Sequence, residues 1–415
     1  MSLAQVVYIL TWLGLTMALL FWAICRDRVL GMAVAISILM RLTGIVAIGP
    51  YLQEVRGREY IAEDEPGYQN AGLQILARWD GGIYYHDNFS TKKELSISGG
   101  YSYWNALLIA IWGPSLVAPR IANAAVATAG IALSYLIAAH LFSGLWPSRL
   151  AALALTFSPS LLVWSLTNLK ETFLAVGIMA VALAALRLVR RPATGNVLML
   201  LLTLLLLGSV RHFYAAVLGW LSLLAYLFLA ESSGLRKVIT SISLGLLMGG
   251  VLFAVSGSFL ALDLIGETQI RYIVREDIRS ATVQYVEFPP NPRTVLANLP
   301  YVLFGRFSSR GETGGVMALV FMPEWILSFV LIPLACCGTV RSVRQGNRAA
   351  LIPAGFASVV FVILAWLYGD PWTIYRFRTT IWPLVLILAA GGFCSMVAQA
   401  ARAFRRLNGP AHAFH

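Results

Sequence analysis

Long apolar segments separated by short polar turns make up most of the 415-residue chain. A hydrocarbon layer about 30 Å thick requires roughly 20 apolar residues for one helical crossing. The segments are continuous rather than alternating, which excludes a transmembrane β-barrel. The sequence therefore predicts an all-α fold, a polytopic transmembrane helical bundle. About eleven spans are expected, at residues 5–24, 30–49, 119–142, 149–167, 171–189, 196–210, 213–230, 238–258, 316–337, 350–368 and 379–400.

Two long polar stretches interrupt this pattern, at residues 50–103 and 259–315. Both fall on the same side of the alternating spans, so both are predicted to be extracytoplasmic loops of a single integral membrane domain, 1–415. Residues 104–116 follow the first loop, are too short to cross the bilayer and stop at Gly113-Pro114. This segment, with a tryptophan near each end, predicts an interfacial or re-entrant helix.

Charge fixes the expected orientation. With 59% hydrophobic and 12% charged residues, the composition lies outside the range of soluble proteins. The net charge of +12 does not indicate a nucleic-acid partner, because the bases lie at the ends of spans rather than along one face. Alternate short turns are rich in Arg and Lys, as the positive-inside rule expects of the cytoplasm. The protein is predicted to lie in the bacterial inner (plasma) membrane, with its N-terminus and long loops towards the periplasm or exterior. The basic turns are Arg26/Arg28, Arg149, Arg187/Arg190/Arg191, Arg236/Lys237, Arg341/Arg344/Arg348 and Arg402/Arg405/Arg406.

Four groups of charged residues on the outer side are not explained by this rule. The first is the acidic triplet Glu63-Asp64-Glu65, followed by Tyr68. Carboxylates near lipid are costly, so the triplet indicates acid–base chemistry, with a solvated loop as the simpler alternative. The second group is Lys170-Glu171, at the start of a span. The helix dipole explains a carboxylate there but not a cation, which leaves a helix cap and a substrate site as alternatives.

The other two groups are basic. Arg211 lies in a very short turn between two apolar segments, where it either snorkels to the interface or binds a substrate. Tyr375-Arg376-Phe377-Arg378 precedes the last span, and guanidinium forks suit phosphate oxygens. In an extended turn, the two arginines of this motif would point the same way. The second loop adds Arg271, Arg275 and Arg279 at helical spacing, either as a basic face on the membrane or as a wall for an anionic lipid head.

With these motifs, the chain resembles the GT-C type polytopic glycosyltransferases of the glycosyltransferase 39/ArnT-like superfamily. The resemblance rests on the acidic motif in a large first outer loop, an interfacial helix and a span that opens with Pro119-Arg120 and Asn123. It continues with the Ser-Pro…Trp…Asn-x-Lys-Glu segment at 158–171 and the Tyr-Arg-Phe-Arg motif. In contrast to the usual family pattern, the acidic loop follows the second span rather than the first.

The resemblance implies sugar transfer from a polyprenyl-phosphate donor to a hydroxyl of a glycan, lipid or protein acceptor on the extracytoplasmic face of the bilayer. It implies that Asp64 is the catalytic carboxylate, with Glu63 and Glu65 as substitutes. The expected phosphate ligands are Lys170, Arg211, Arg376 and Arg378, and the expected substrate contacts are Tyr68, Glu171 and Tyr375. Some family members hold a divalent metal cation at such acids, and oxygen ligands for one are present.

Two other functions remain open. An O-antigen or exopolysaccharide polymerase or ligase also joins lipid-linked sugars with outer-loop arginines, but it does not need the acidic triplet. A lipid-linked sugar transporter would bury its charges at mid-membrane, where Arg41 is the main candidate in this chain. Most of the other charges collect at one face, which favours the transferase.

Overall fold

The computed structural model describes residues 3–57, 60–62, 64–79, 99–231, 234–256, 292–304, 314–367 and 371–407. These residues form α-helices and one short 3₁₀ turn, Arg348–Ala350, and they contain no strand. The first eight helices are α1 Leu3–Arg26, α2 Arg28–Arg56, α3 Glu65–Trp79, α4 Gly99–Trp112, α5 Val117–Leu141, α6 Leu145–Phe157, α7 Pro159–Ser165 and α8 Glu171–Arg190. The remaining helices are α9 Thr194–Val210, α10 His212–Leu229, α11 Gly234–Ser256, α12 Pro292–Phe304, α13 Gly314–Arg344, α14 Leu351–Leu367, α15 Pro371–Arg378 and α16 Trp382–Leu407.

Eight of these helices are long and apolar enough to cross a membrane. The predicted polytopic helical bundle is confirmed, and the chain is an integral multi-pass membrane protein. If the broken pair α6–α7 and the helices α9 and α11 are also taken as crossings, the number of spans reaches the predicted eleven. The eight are Leu3–Arg26, Arg28–Ala47, Val117–Leu141, Glu171–Arg190, His212–Leu229, Val320–Arg344, Arg348–Trp366 and Trp382–Arg406.

The segment predicted as one span at 149–167 is two helices, so the expectation of a single unbroken helix there was wrong. Helix α6 ends at Phe157, and Pro159 is the first residue of α7. Proline fits the first turn of a helix but cannot continue the hydrogen bonds of a preceding one, so it divides the segment. Helix α7 ends at Ser165, which leaves a short turn before α8. This buried turn carries Lys170.

The first outer loop is more helical than its polar sequence suggests. Helix α2 continues to Arg56 and ends at Gly57, which has a φ of 66° and donates its N–H to the carbonyl of Gln53. Helix α3 then follows the acidic motif. The expected helix over residues 104–116 is present as α4, which starts at Gly99 and ends before Gly113, where φ is 76°.

Helix α8 lies at the centre of the bundle. Within its most apolar stretch, 72% of the residues are buried, against 11% for the peripheral α1. Helices α5, α9 and α10 surround it. A functional group at the first turn of α8 is therefore held by the most extensively buried of the eight candidate spans in the described residues.

The basic turns predicted to be cytoplasmic meet at one end of the bundle. Arg149 pairs with Asp27 at 3.0 Å and joins the α1–α2 turn to α6. Asn347 donates to the Leu141 carbonyl at 2.7 Å, and Arg190 donates to the His140 carbonyl. The structure thus groups these turns as the charge pattern predicts, opposite the acidic motif.

We expect this end to be cytoplasmic. In a background without the four native cysteines, Gln53→Cys should react with an impermeant thiol reagent in intact cells, and Gln345→Cys should react only after lysis. Both side chains are exposed in the structure, so access depends on the side of the membrane. Labelling of Gln345→Cys alone in intact cells would invert the topology.

Candidate active site

Glu65 connects the first outer loop to the bundle through hydrogen bonds. Its Oε1 accepts hydrogen bonds from the backbone N–H groups of Ile61 at 2.7 Å and Ala62 at 3.1 Å. Its Oε2 accepts from the backbone N–H of Asn168 at 2.9 Å and from Arg120 Nη2 at 3.2 Å. The side chain is fully buried. With four donors on its two oxygens, this carboxylate holds structure rather than receiving a substrate proton.

Asp64 stands beside Glu65 but in a different environment. Its Oδ2 lies 2.6 Å from Arg376 Nη1, and 29% of its side chain is exposed. The Nε of the same arginine lies 3.0 Å from Glu171 Oε1, and the Glu171 side chain is fully buried. Arg376 therefore bridges an outer carboxylate and an inner one. Burial alone would lower the pKa of Arg376, but the carboxylates of Glu171 and Asp64 outweigh it and raise that pKa above its ordinary value.

Lys170 and Tyr68 form the adjoining part of the site. Both are buried, and the Lys170 ammonium donates to the Tyr68 hydroxyl. The same ammonium lies 4.9 Å from the centre of the Tyr68 ring, within the range of a cation–π contact. Tyr68 in turn meets Tyr101 edge to face, with ring centres 5.0 Å apart. Two residues that were predicted separately, Tyr68 from the first outer loop and Lys170 from the short turn before α8, are thus in direct contact.

The turn that carries Lys170 is held by α4 and α5. Asn123 donates its side-chain amide to the carbonyls of Thr167 at 2.6 Å and Leu169 at 2.9 Å. Tyr101 donates its hydroxyl to Asn168 Oδ1 at 2.9 Å. Asn123 was part of the family resemblance, whereas Tyr101 carried no sequence signal beyond its place in an interfacial helix.

Arg376 and Arg378 do not point the same way, so that expectation was wrong. Residues 371–378 form helix α15, and on a helix two positions two residues apart lie on nearly opposite sides. Arg378 is buried, donates to Ser328 Oγ at 2.5 Å, and its guanidinium lies 3.9 Å from the centre of the Trp382 ring.

Arg378 belongs to a second buried cluster, around Glu324 of α13. The Glu324 carboxylate accepts hydrogen bonds from Ser158 Oγ at 3.2 Å, Ser160 N at 3.0 Å and Ser160 Oγ at 2.8 Å. Tyr375 completes it, with ring centres 4.8 Å from Phe321 and 5.5 Å from Trp325. In this cluster, Glu324 accepts the hydrogen bonds of the two serines at the break between α6 and α7. Glu324 was missed in the sequence, although an acid within an apolar span was the available signal.

Arg211 also reaches this end of the bundle. Its guanidinium lies 5.4 Å from the centre of the Phe377 ring, and that of Arg376 lies 5.1 Å from the same ring. The structure thus brings described members of all four outer groups to the same end of the bundle.

Some predicted residues lie outside the part of the chain that the structure describes. They are Glu63, Arg271, Arg275 and Arg279. Among the described residues, no group of three or more His, Cys, Asp or Glu side chains is arranged to hold a metal ion. Asp64 and Glu171 both pair with Arg376, so its guanidinium lies between their carboxylates. The described residues therefore do not fit a divalent cation.

No protein-family model and no curated protein matches the chain. Solved structures do match. ArnT from Cupriavidus metallidurans, bound to undecaprenyl phosphate, matches with a TM-score of 0.56 and 16% identity over 87% of this chain. The chain has the GT-C fold. The archaeal oligosaccharyltransferase AglB from Archaeoglobus fulgidus, in complex with an inhibitory peptide and a dolichol-phosphate, matches with a TM-score of 0.56 and 12% identity over 94% of this chain. The chain spans 59% of the length of the first and 53% of the second.

Glu65→Gln should destabilise the protein. The amide keeps the shape but removes the negative charge that pairs with the buried Arg120, and it turns a donor towards the donors around it. Breaking a buried ion pair on one side costs about 3–5 kcal/mol. Thermal unfolding of the purified protein should show a clear loss, and Glu54→Gln on the exposed part of α2 should show none. Equal stability of the two variants would contradict this role for Glu65.

Proposed function

We propose that this protein is a membrane glycosyltransferase that moves a sugar from a polyprenyl-phosphate donor to an acceptor hydroxyl on the extracytoplasmic face. The observation that carries the proposal is the position of Asp64. It is a partly exposed carboxylate, 2.6 Å from a guanidinium that a buried carboxylate also holds. A base and a phosphate ligand are thereby kept side by side at the mouth of the bundle.

In the proposed reaction, the acceptor oxygen attacks the anomeric carbon of the donor sugar while Asp64 takes the proton of the acceptor hydroxyl. The bond between the anomeric carbon and the phosphate oxygen breaks, and its electron pair leaves with the phosphate. Charge grows on that phosphate in an oxocarbenium-like transition state. Arg376 and Lys170 are the cations that stabilise it.

Arg376 keeps a donor for this task. Its Nε faces Glu171 and its Nη1 faces Asp64, while its Nη2 makes no hydrogen bond to any described residue. A phosphate oxygen at Nη2 would receive a charge-assisted hydrogen bond without displacing either carboxylate. Arg378 is a weaker candidate, because it is buried against Ser328 and Trp382.

The lipid nature of the donor is supported by the fold and by its neighbours. ArnT was solved with undecaprenyl phosphate, and the archaeal oligosaccharyltransferase was solved with a dolichol-phosphate. For this chain, cations at the outer end of an apolar bundle would meet the phosphate of a polyprenyl lipid whose tail stays in the bilayer. The polymerase alternative depends on arginines of the second loop that lie outside the described residues.

Asp64→Asn should abolish sugar transfer, because the amide keeps the shape of the side chain but cannot accept the proton. Loss of general-base catalysis typically lowers turnover by about a hundredfold or more. The assay is transfer from radiolabelled polyprenyl-phosphate sugars by purified protein, with donor binding and thermal stability measured in parallel. Glu54→Gln, an exposed carboxylate of the same outer region, is the matched control and should keep full activity. Near-normal turnover in Asp64→Asn would remove Asp64 from the chemistry.

Arg376→Lys should weaken donor binding by about tenfold or more, because lysine keeps the charge but not the planar fork that reaches two carboxylates and a phosphate. Arg378→Lys is the matched comparison on the same helix. It should lower thermal stability and leave donor affinity nearly unchanged. The affinity is measured with a fluorescent polyprenyl phosphate in detergent or nanodiscs. The opposite ranking of the two variants would move the phosphate to the Glu324 cluster.

A further inference from the structure

Glu324 is a buried acid inside one of the candidate spans. It lies in the segment Val320–Arg344 of α13, and only 3% of the residue is exposed. An ionisable side chain in such a segment is costly, so it calls for a specific role. The proposed reaction uses Asp64, Arg376 and Lys170 and leaves Glu324 without one.

The carboxylate of Glu324 holds the start of α7. Its Oε2 accepts hydrogen bonds from the backbone N–H of Ser160 at 3.0 Å and from Ser158 Oγ at 3.2 Å. Its Oε1 accepts from Ser160 Oγ at 2.8 Å. Hydrogen bonds to an ionised acceptor are stronger than those between neutral groups. Because Pro159 stands between the two serines, one carboxylate binds both sides of the break where α6 gives way to α7.

The same turn of α13 also holds α15. The ring centre of Tyr375 lies 4.8 Å from that of Phe321 and 5.5 Å from that of Trp325. Phe321 in addition stacks on Trp164 of α7, with ring centres 6.0 Å apart. Phe321, Glu324 and Trp325 are spaced three and four residues apart, so they share one face of α13. Helices α7 and α15 therefore meet on a single face of this helix.

The charge of Glu324 acts on α15 as well. Arg378 is buried and donates to Ser328 Oγ at 2.5 Å, and Ser328 Oγ donates to the backbone carbonyl of Glu324 at 2.7 Å. Burial lowers the pKa of Arg378, and the Glu324 carboxylate opposes this change. Burial raises the pKa of Tyr375 well above its ordinary value, and the same carboxylate raises it further. The carboxylate thus influences α15 while it binds α7.

We propose that Glu324 is a positioning residue, which joins α7 and α15 to one face of α13 and thereby fixes the separation of the two cations of the outer site. Helix α15 carries Arg376 next to Tyr375, and α7 leads into the short turn that carries Lys170. A phosphate that contacts both cations needs them at one separation, because small misplacements of binding groups are costly. The effect on a donor rests on the proposed function, whereas the joining of the helices does not.

Hydrogen–deuterium exchange of Glu324→Gln tests whether the helices are joined. The amide keeps the shape of the side chain, but it removes the charge and turns a donor towards the serines. Backbone amides of both α7 and α15 should exchange faster, because local opening becomes less costly in each. Faster exchange in only one of these helices, or in neither, would overturn the proposal.

Asp27→Asn is the matched control. Asp27 is also a buried acid, which accepts from the backbone N–H of Val29 at 2.8 Å and pairs with Arg149 at 3.0 Å. It lies at the other end of the bundle from the acidic motif. This variant should lose thermal stability, but the exchange of α7 and α15 should stay as it is in the unchanged protein.

Donor binding tests the positioning role. Glu324→Gln should weaken the binding of a fluorescent polyprenyl phosphate by about tenfold, whereas Asp27→Asn should leave it unchanged. In an Arg376→Lys background, Glu324→Gln should cost less than it does alone, because the guanidinium fork that it positions is no longer present. Unchanged affinity in Glu324→Gln, or full additivity with Arg376→Lys, would overturn the positioning role.

A milder variant keeps both experiments decisive if Glu324→Gln does not fold. Ser160→Ala removes one donor to Glu324 and keeps the backbone N–H, so it should act in the same directions with smaller effects. Failure of the proposed function has a different signature, since the unchanged protein would then not bind polyprenyl phosphate. The exchange experiment would still decide whether Glu324 joins the two helices.

Discussion

The carboxylate of Glu65 is the contact on which the rest of the site depends. It joins the first outer loop to α5 through Arg120 and to the α7–α8 turn through the backbone of Asn168. Without it, Asp64 and Tyr68 would lie on a polar loop with no fixed relation to Lys170 and Arg376. Because its four hydrogen bonds are buried, this carboxylate can fix the position of its neighbour within a narrow range.

The site reconciles two opposing requirements. In the proposed function, cations that bind a phosphate at the edge of the bilayer must be held rigidly, whereas burial near lipid penalises each charge. The protein meets both by pairing: Lys170 with Tyr68, Arg120 with Glu65, and Arg376 with two carboxylates. Asp64 is the most exposed acid of this group, which agrees with the role of a base that is proposed for it. At the break between α6 and α7, the cluster around Glu324 and Arg378 likewise gives buried polar groups hydrogen-bond partners.

The helical fold and the gathering of the outer charges were predictable from the sequence, because span length and the positive-inside rule place each turn on one side. The separate roles of Glu63, Asp64 and Glu65 were not predictable from the sequence. Three adjacent carboxylates look alike there, and only the folded backbone shows which side chain is buried. The conformation of Arg376 and Arg378 depended on whether the turn was extended or helical. Proline at 371 begins a helix, and this separates the two side chains. Partners such as Ser158 and Glu324 lie far apart in the sequence, so only tertiary packing reveals them.

The most direct test of the central claim is an experimental structure of the protein with a polyprenyl phosphate bound. The account predicts that the phosphate lies at the outer end of the bundle, with an oxygen within hydrogen-bond reach of Arg376 Nη2 and close to Lys170. Asp64 should face the ester oxygen to which the sugar is attached. A phosphate bound at the Arg149 end of the bundle, or beside Arg378 with Arg376 still held only by its two carboxylates, would contradict it.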